Sequence, residues 1–241
     1  MPLPEQTPPG WGADEITKFI DTTRGNAYAS FANLKEEYSR LSEIDGALRK
    51  LGENLNHTKE WFAAFFVLRA HSSWLAAVNV ALSAQIPETY VILRSSLETA
   101  LYGLRIAKNP SLRETWLRRH DSPKHKAQVL EEFKFRNLID TLAVENIKEA
   151  QVAETLYNQC IDSGAHPNER ALMGNLRMDK TTEEIKLKVM YLNPDPLALR
   201  LAMKSTARVG VCILGIFYQL YKERFDLLGL TAQLPTLRRG L

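Results

Sequence analysis

Residues 61–110 read WFAAFFVLRAHSSWLAAVNVALSAQIPETYVILRSSLETALYGLRIAKNP, and this stretch decides the fold class. It carries only six charges: Arg69, Glu88, Arg94, Glu98, Arg105 and Lys108. Trp61, Phe62, Phe65, Phe66, Leu68, Trp74, Leu75, Val78 and Leu82 recur at helical spacing and cover nearly every side. That pattern predicts a helix over about 57–86, central enough to be touched by neighbours on several faces. Pro87 ends it. Proline suits the first turn of the next helix, and Glu88 complements the positive end of that helix's dipole. The second helix carries Tyr90, Val91, Leu93, Leu97, Leu101, Leu104 and Ile106 and stops before Asn109-Pro110.

Toward the N-terminus, Ala27, Phe31, Leu34, Tyr38, Leu41, Ile44, Leu48 and Leu51 step by threes and fours. They predict one long amphipathic helix, suited to a bundle or to a dimer seam. Ile16, Phe19 and Ile20 mark a short amphipathic piece before it, and the proline-rich residues 1–12 read as a flexible tail. Toward the C-terminus, Ser111 with Glu114 has the spacing of a capping box for a short helix over about 112–119. Asp121-Ser122-Pro123 stops that helix and caps another, through Val129, Phe133 and Leu142. A further helix spans about 145–161, followed by a loop at 162–168 with Gly164 as its C-cap. From 184 to 191 the apolar period changes to two, which predicts a half-buried strand. Its partner is placed at Leu172 to Met178, with the turn at Asp179-Lys180-Thr181-Thr182, giving a hairpin inserted at about 172–192. A last helix over about 197–228 follows, then a flexible basic tail at 231–241. The expected architecture is all-α: a bundle of five to seven helices in one domain, 13–230, with a small β-hairpin before the last helix. Gly103, Gly210 and Gly215, inside helices, read as points of close helix packing.

The chain has 241 residues, a formal net charge of +3 and 24% charged residues. That balance is too weak to point to nucleic acid by itself. Two cysteines, Cys160 and Cys212, exclude a disulfide framework and a cysteine-based zinc site. They fit a reducing compartment, so a cytoplasmic location is expected. The longest uncharged run, Ala70 to Pro87, holds His71, Ser72, Ser73, Asn79, Ser83 and Gln85. So many polar groups make lipid a poor solvent for it, and no membrane partner is expected. Charge is unevenly spread: residues 1–60 carry a net −3 and residues 194–241 a net +4, ends that suit one another across a homodimer.

Several chemistries are excluded by spacing. No Glu-x-x-His pair, His-Glu-x-x-His motif or Gly-x-Ser-x-Gly elbow occurs. Lys204-Ser205-Thr206 lacks the glycines a phosphate loop needs. No metal or cofactor is expected. What remains is Arg94-Ser95-Ser96-Leu97-Glu98. The two charges are four apart, hence on one helix face, in an otherwise apolar helix. A half-buried guanidinium steadied by Glu98 presents its fork to an anion. The loop around His166 is the second element, since histidine moves protons near neutral pH. A basic patch at Arg113, Arg118, Arg119, Lys124 and Lys126, interleaved with Trp116, suits phosphate contact, with Arg118, Arg119 and Lys124 as its candidates.

The run Arg94-Ser95-Ser96-Leu97-Glu98, followed by Leu156-Tyr157 and then Ser163-Gly164-Ala165-His166-Pro167, resembles a bacterial all-helical family grouped loosely with the HEPN helical bundles. The resemblance spans about 55–225. It implies an all-helical fold and a shared locus at Arg94, Glu98 and His166, and it supplies no reaction. HEPN proteins are often metal-independent ribonucleases with four to six residues between an Arg and a following His. Arg119 with His125 and Arg113 with His120 meet that spacing, as composition alone allows, whereas His166 has no such arginine. The expected function is a binding module with a pocket of Arg94, Glu98, His166, Tyr157 and Asn168 for a small anionic or nucleotide-like ligand. The alternatives are a dimerising scaffold without a site, and a ribonuclease with His166 as acid–base and Arg94 steadying phosphate charge.

Overall fold

The computed structural model describes residues 7–167, 169–180, 185–193 and 195–241. Its centre is a helical pair, α3 (Trp61–Leu82) and α4 (Ile86–Lys108), joined through Ala84. Pro87 lies in the first turn of α4 as expected. Ser96 Oγ donates to the Ala70 carbonyl at 2.8 Å, tying the two helices where both are buried. Against them lie α2 (Lys35–Glu53), α8 (Ile147–Cys160) and α10 (Pro196–Tyr218). Trp74 is fully buried, and its indole N–H donates to the Thr206 carbonyl of α10 at 2.8 Å. Gly210 makes that approach possible: a Cβ there would stand 2.7 Å from Trp74 and from Ile44. Gly103 stands in the same relation to Phe66, also at 2.7 Å, so both glycines serve the close packing expected of them.

Six helices have fourteen residues or more, counting α1 (Glu15–Asn33) with the five above. Shorter pieces complete the bundle: α5 (Ser111–Leu117), α6 (Pro123–Glu132), α7 (Phe135–Glu145), α9 (Glu169–Met173) and α11 (Lys222–Leu227). The only sheet among the described residues is an antiparallel pair, β1 (Leu176–Lys180) and β2 (Ile185–Val189), in register from Leu176 opposite Val189 to Lys180 opposite Ile185. The fold is thus all-α with a small hairpin before the last helices. By length and composition alone, α3 and α10 are apolar enough to cross a membrane; in the folded chain 50% and 78% of their apolar windows are buried.

Local expectations fail at several places, and one is the helix expected from Ser122 through Leu142, which is two, α6 and α7, separated at 133–134. The long first helix is two helices, broken at Leu34, whose backbone leaves helical geometry. In α1 the buried residue is Ser30, whose Oγ donates to the Leu82 carbonyl at 2.8 Å, while Phe31 is 54% exposed. Small residues, rather than the aromatic ones, therefore face the bundle there. Ser111 is the first helical residue of α5, not its cap; Ser122, by contrast, does cap α6 and accepts from His125 N. The strands are shorter than expected, since Leu172 belongs to α9, and Met178, Leu187 and Val189 are mostly exposed rather than half-buried. Thr181 and Thr182 of the expected turn lie outside the described residues. The expected last helix is interrupted at 219–221.

A further correction is the C-terminal segment 231–241, expected as a flexible tail. It forms α12 (Leu230–Arg238), entered through Gly229 in the left-handed region at φ 71°. Leu230, Leu234 and Leu237 are buried at one-turn spacing. Arg238 pairs with Glu149 of α8 at 2.5 Å, and the Arg239 carbonyl accepts from Arg40 at 2.7 Å. Opposite charge from the two ends of the chain also meets within one molecule, where Arg200 pairs with Glu37.

Candidate functional site

Arg94 and Glu98 project from the face of α4 that meets α8, as their spacing requires. Arg94 Nε donates to Glu98 Oε1 at 3.2 Å. Tyr157, on the buried face of α8, completes the group. Its hydroxyl donates to Glu98 Oε1 at 2.9 Å and accepts from Arg94 Nη2 at 2.8 Å. The guanidinium carbon also lies 4.9 Å from the centre of the Tyr157 ring, and Phe135 of α7 stacks on that ring with centroids 3.5 Å apart. Tyr157 is nearly buried, whereas the Arg94 and Glu98 side chains are 29% and 33% exposed. Burial, then the neighbouring carboxylate, pushes the Tyr157 phenol up to about 12, so it stays protonated and keeps donating. Burial works against the Arg94 charge, but Glu98 and then Tyr157 outweigh it and hold its pKa above the usual arginine value.

Beyond Glu98 the same face of α4 opens into a groove of about 570 Å³. Phe62, Phe65, Phe66 and Arg69 form one wall, at helical steps along α3. Ser95, Glu98, Thr99 and Tyr102 form the second, at the matching steps along α4, and Trp116 and Leu117 of α5 close the end. Trp116 meets Phe62 and Phe66 edge to face at 6.2 and 5.5 Å. Tyr102 stacks on Phe133 at 4.6 Å, and burial, then the Glu98 carboxylate, raises its pKa against the opposing pull of Arg119. Arg113 lies over the Trp61 and Phe62 rings, at 5.9 and 5.8 Å. Arg69 is exposed and has no hydrogen bond or ion pair among the described residues. A groove of this size with aromatic walls and a few charges at its rim suits a small organic ligand.

Of the residues expected to share the site, Arg94, Glu98 and Tyr157 come together. His166 is exposed, following a π-helical turn at Ile161–Ala165, and among the described residues no hydrogen bond joins it to the three. That turn presses on the start of α4: a Cβ on Gly164 would stand 2.4 Å from the Pro87 carbonyl oxygen. Gly164 is thus a contact glycine rather than a helix C-cap. Asn168 lies outside the described residues. Arg118 pairs with Asp121 at 2.9 Å, Arg119 sits half-buried near Tyr102, and Lys124 is exposed in the first turn of α6. No group of three or more His, Cys, Asp and Glu side chains that could hold a metal ion occurs among the described residues. The sequence pattern places Phe62, Phe65 and Phe66 on a core helix and Trp116 in the basic patch, and does not single out Tyr102. The usable signal was the pairing of two sets, 62/65/66/69 and 95/98/99/102, on consecutive antiparallel helices.

No family model, curated protein or solved structure matches the chain.

Proposed function

We propose that this chain is a binding module whose groove between α3, α4 and α5 takes a small organic anion with a flat ring. The observation that carries the reading is the meeting of aromatic side chains with a cation unpaired among the described residues: Phe62, Phe66, Tyr102 and Trp116 line the groove, and Arg69 stands on its α3 wall. Flat rings gain from edge-to-face and stacked contact with such walls, and an anion gains from a guanidinium with no partner among the described residues. Arg94 neutralises Glu98, so Arg69, Arg113 and Arg119 leave the surroundings of the groove cationic. His166 takes no part in this reading.

Calorimetric titration with phenyl phosphate, and with butyl phosphate as the non-aromatic control, tests it. Phenyl phosphate is expected to bind and butyl phosphate to bind at least several-fold more weakly. Trp116→Ala and Arg69→Gln are each expected to weaken phenyl phosphate about tenfold. If phenyl phosphate does not bind, or if both substitutions leave its affinity unchanged, the reading falls.

A further inference from the structure

Glu98 is the single carboxylate on the groove wall among the described residues, and its two oxygens are not equivalent. Oε1 accepts from Arg94 Nε at 3.2 Å and from Tyr157 Oη at 2.9 Å. A carboxylate oxygen offers about two acceptor positions, so Oε1 is filled. Oε2 accepts from no described residue. The Tyr157 phenol stays protonated through the physiological range, because burial and Glu98 raise its pKa, so it holds Oε1 throughout. The carboxylate is therefore fixed on one side and open on the other.

We infer that Glu98 Oε2 selects the edge of the bound ring, and that the ligand is a flat nitrogen heterocycle with a ring N–H donor and an anionic group. The inference rests on the groove reading above and adds to it the chemistry of the ring edge. An N–H suits Oε2 because a charge-assisted hydrogen bond to an oriented carboxylate is stronger than a neutral one. A neutral donor fits better than an ammonium, since three arginines surround the groove and Glu98 already has its counter-ion in Arg94. The anionic group is left for Arg69.

A matched pair of probes isolates the edge. Inosine 5′-monophosphate carries a ring N–H; 6-methoxypurine riboside 5′-monophosphate keeps the purine frame and the 6-oxygen but leaves that ring nitrogen unprotonated. Wild-type protein is expected to bind the first about tenfold more tightly, the size expected of one hydrogen bond to a charged group. In Glu98→Gln, the donors Arg94 and Tyr157 hold the amide oxygen at the place of Oε1 and turn the amide NH₂ to the groove. The preference is then expected to vanish or reverse, because the unprotonated ring nitrogen now meets a donor. Phenyl phosphate, which has no N–H, is expected to bind this variant somewhat more tightly than wild type, because a negative charge beside its anion is lost, and that binding also reports that the groove is intact. Equal affinity of the two nucleotides for wild-type protein overturns the inference while phenyl phosphate binding keeps the groove reading. Binding of phenyl phosphate with neither nucleotide also overturns it. Failure of all three probes overturns both.

Discussion

Helix α8 meets two carboxylate–arginine pairs, one at each end, and they differ in what surrounds them. At its C-terminal end Tyr157 joins Arg94 and Glu98, both about a third exposed, beside an open groove. At its N-terminal end Glu149 is 5% exposed and pairs with Arg238 of α12. There α10 contributes Gly215, where a Cβ would stand 2.3 Å from Glu149 Oε1, and the thiol of Cys212. Burial raises the pKa of Glu149, while Arg238 and then Cys212 oppose it; burial, then Glu149, raises that of Cys212. The same two side-chain types thus make a closed clamp in one place and an open acceptor in the other. The difference lies in how much water is shut out: the Glu98 side chain is 33% exposed and that of Glu149 5%.

The largest expected effect tests the closed pair. Arg238→Ala leaves the Glu149 charge buried without its partner and is expected to cost about 3 kcal/mol in urea unfolding, against about 1 kcal/mol or less for Arg94→Ala, whose carboxylate partner still reaches water. Equal losses from the two would break the comparison. Gly215→Ala comes next, expected to cost about 2 kcal/mol by pushing Glu149 aside, and a neutral outcome would mean that the clamp has slack. The smallest effect is at Tyr157. Its folded pKa is raised from 10.0 to about 12, so the stability linked to it is complete below pH 10 and is lost as pH rises toward 12. Tyr157→Phe is expected to flatten the unfolding free energy across that window. The Glu149 linkage has the same sign at acid pH: its share of stability is full below the ordinary carboxylate range and falls as pH rises through its folded value.

The two pairs were not equally legible in sequence. Arg94 and Glu98 are four apart, so periodicity alone puts them together, and Tyr157 entered through a short resemblance. Glu149 and Arg238 are 89 residues apart, and no local pattern connects them. The helix that carries Arg238 has its apolar stripe at Leu230, Leu234 and Leu237, but Pro235 and the closing arginines gave it the composition of a tail. The central pair α3 and α4 was readable because proline and period agree there. The break at Leu34 was not, because α1 turns Ser30 to the bundle and leaves its aromatic residues outside. The groove was hidden for a related reason: aromatic residues on a mostly apolar helix look the same whether they fill a core or line a cleft.

One arrangement bears on how the chain is made. Helix α10 is the most thoroughly buried of the long helices, and taken alone it has the length and hydropathy of a bilayer-spanning segment. Its main partners, α2, α3, α4 and α8, all precede it in the sequence. During synthesis its sticky surface therefore emerges onto a cradle that the ribosome has already released, and the interval in which it can be captured by anything else is short.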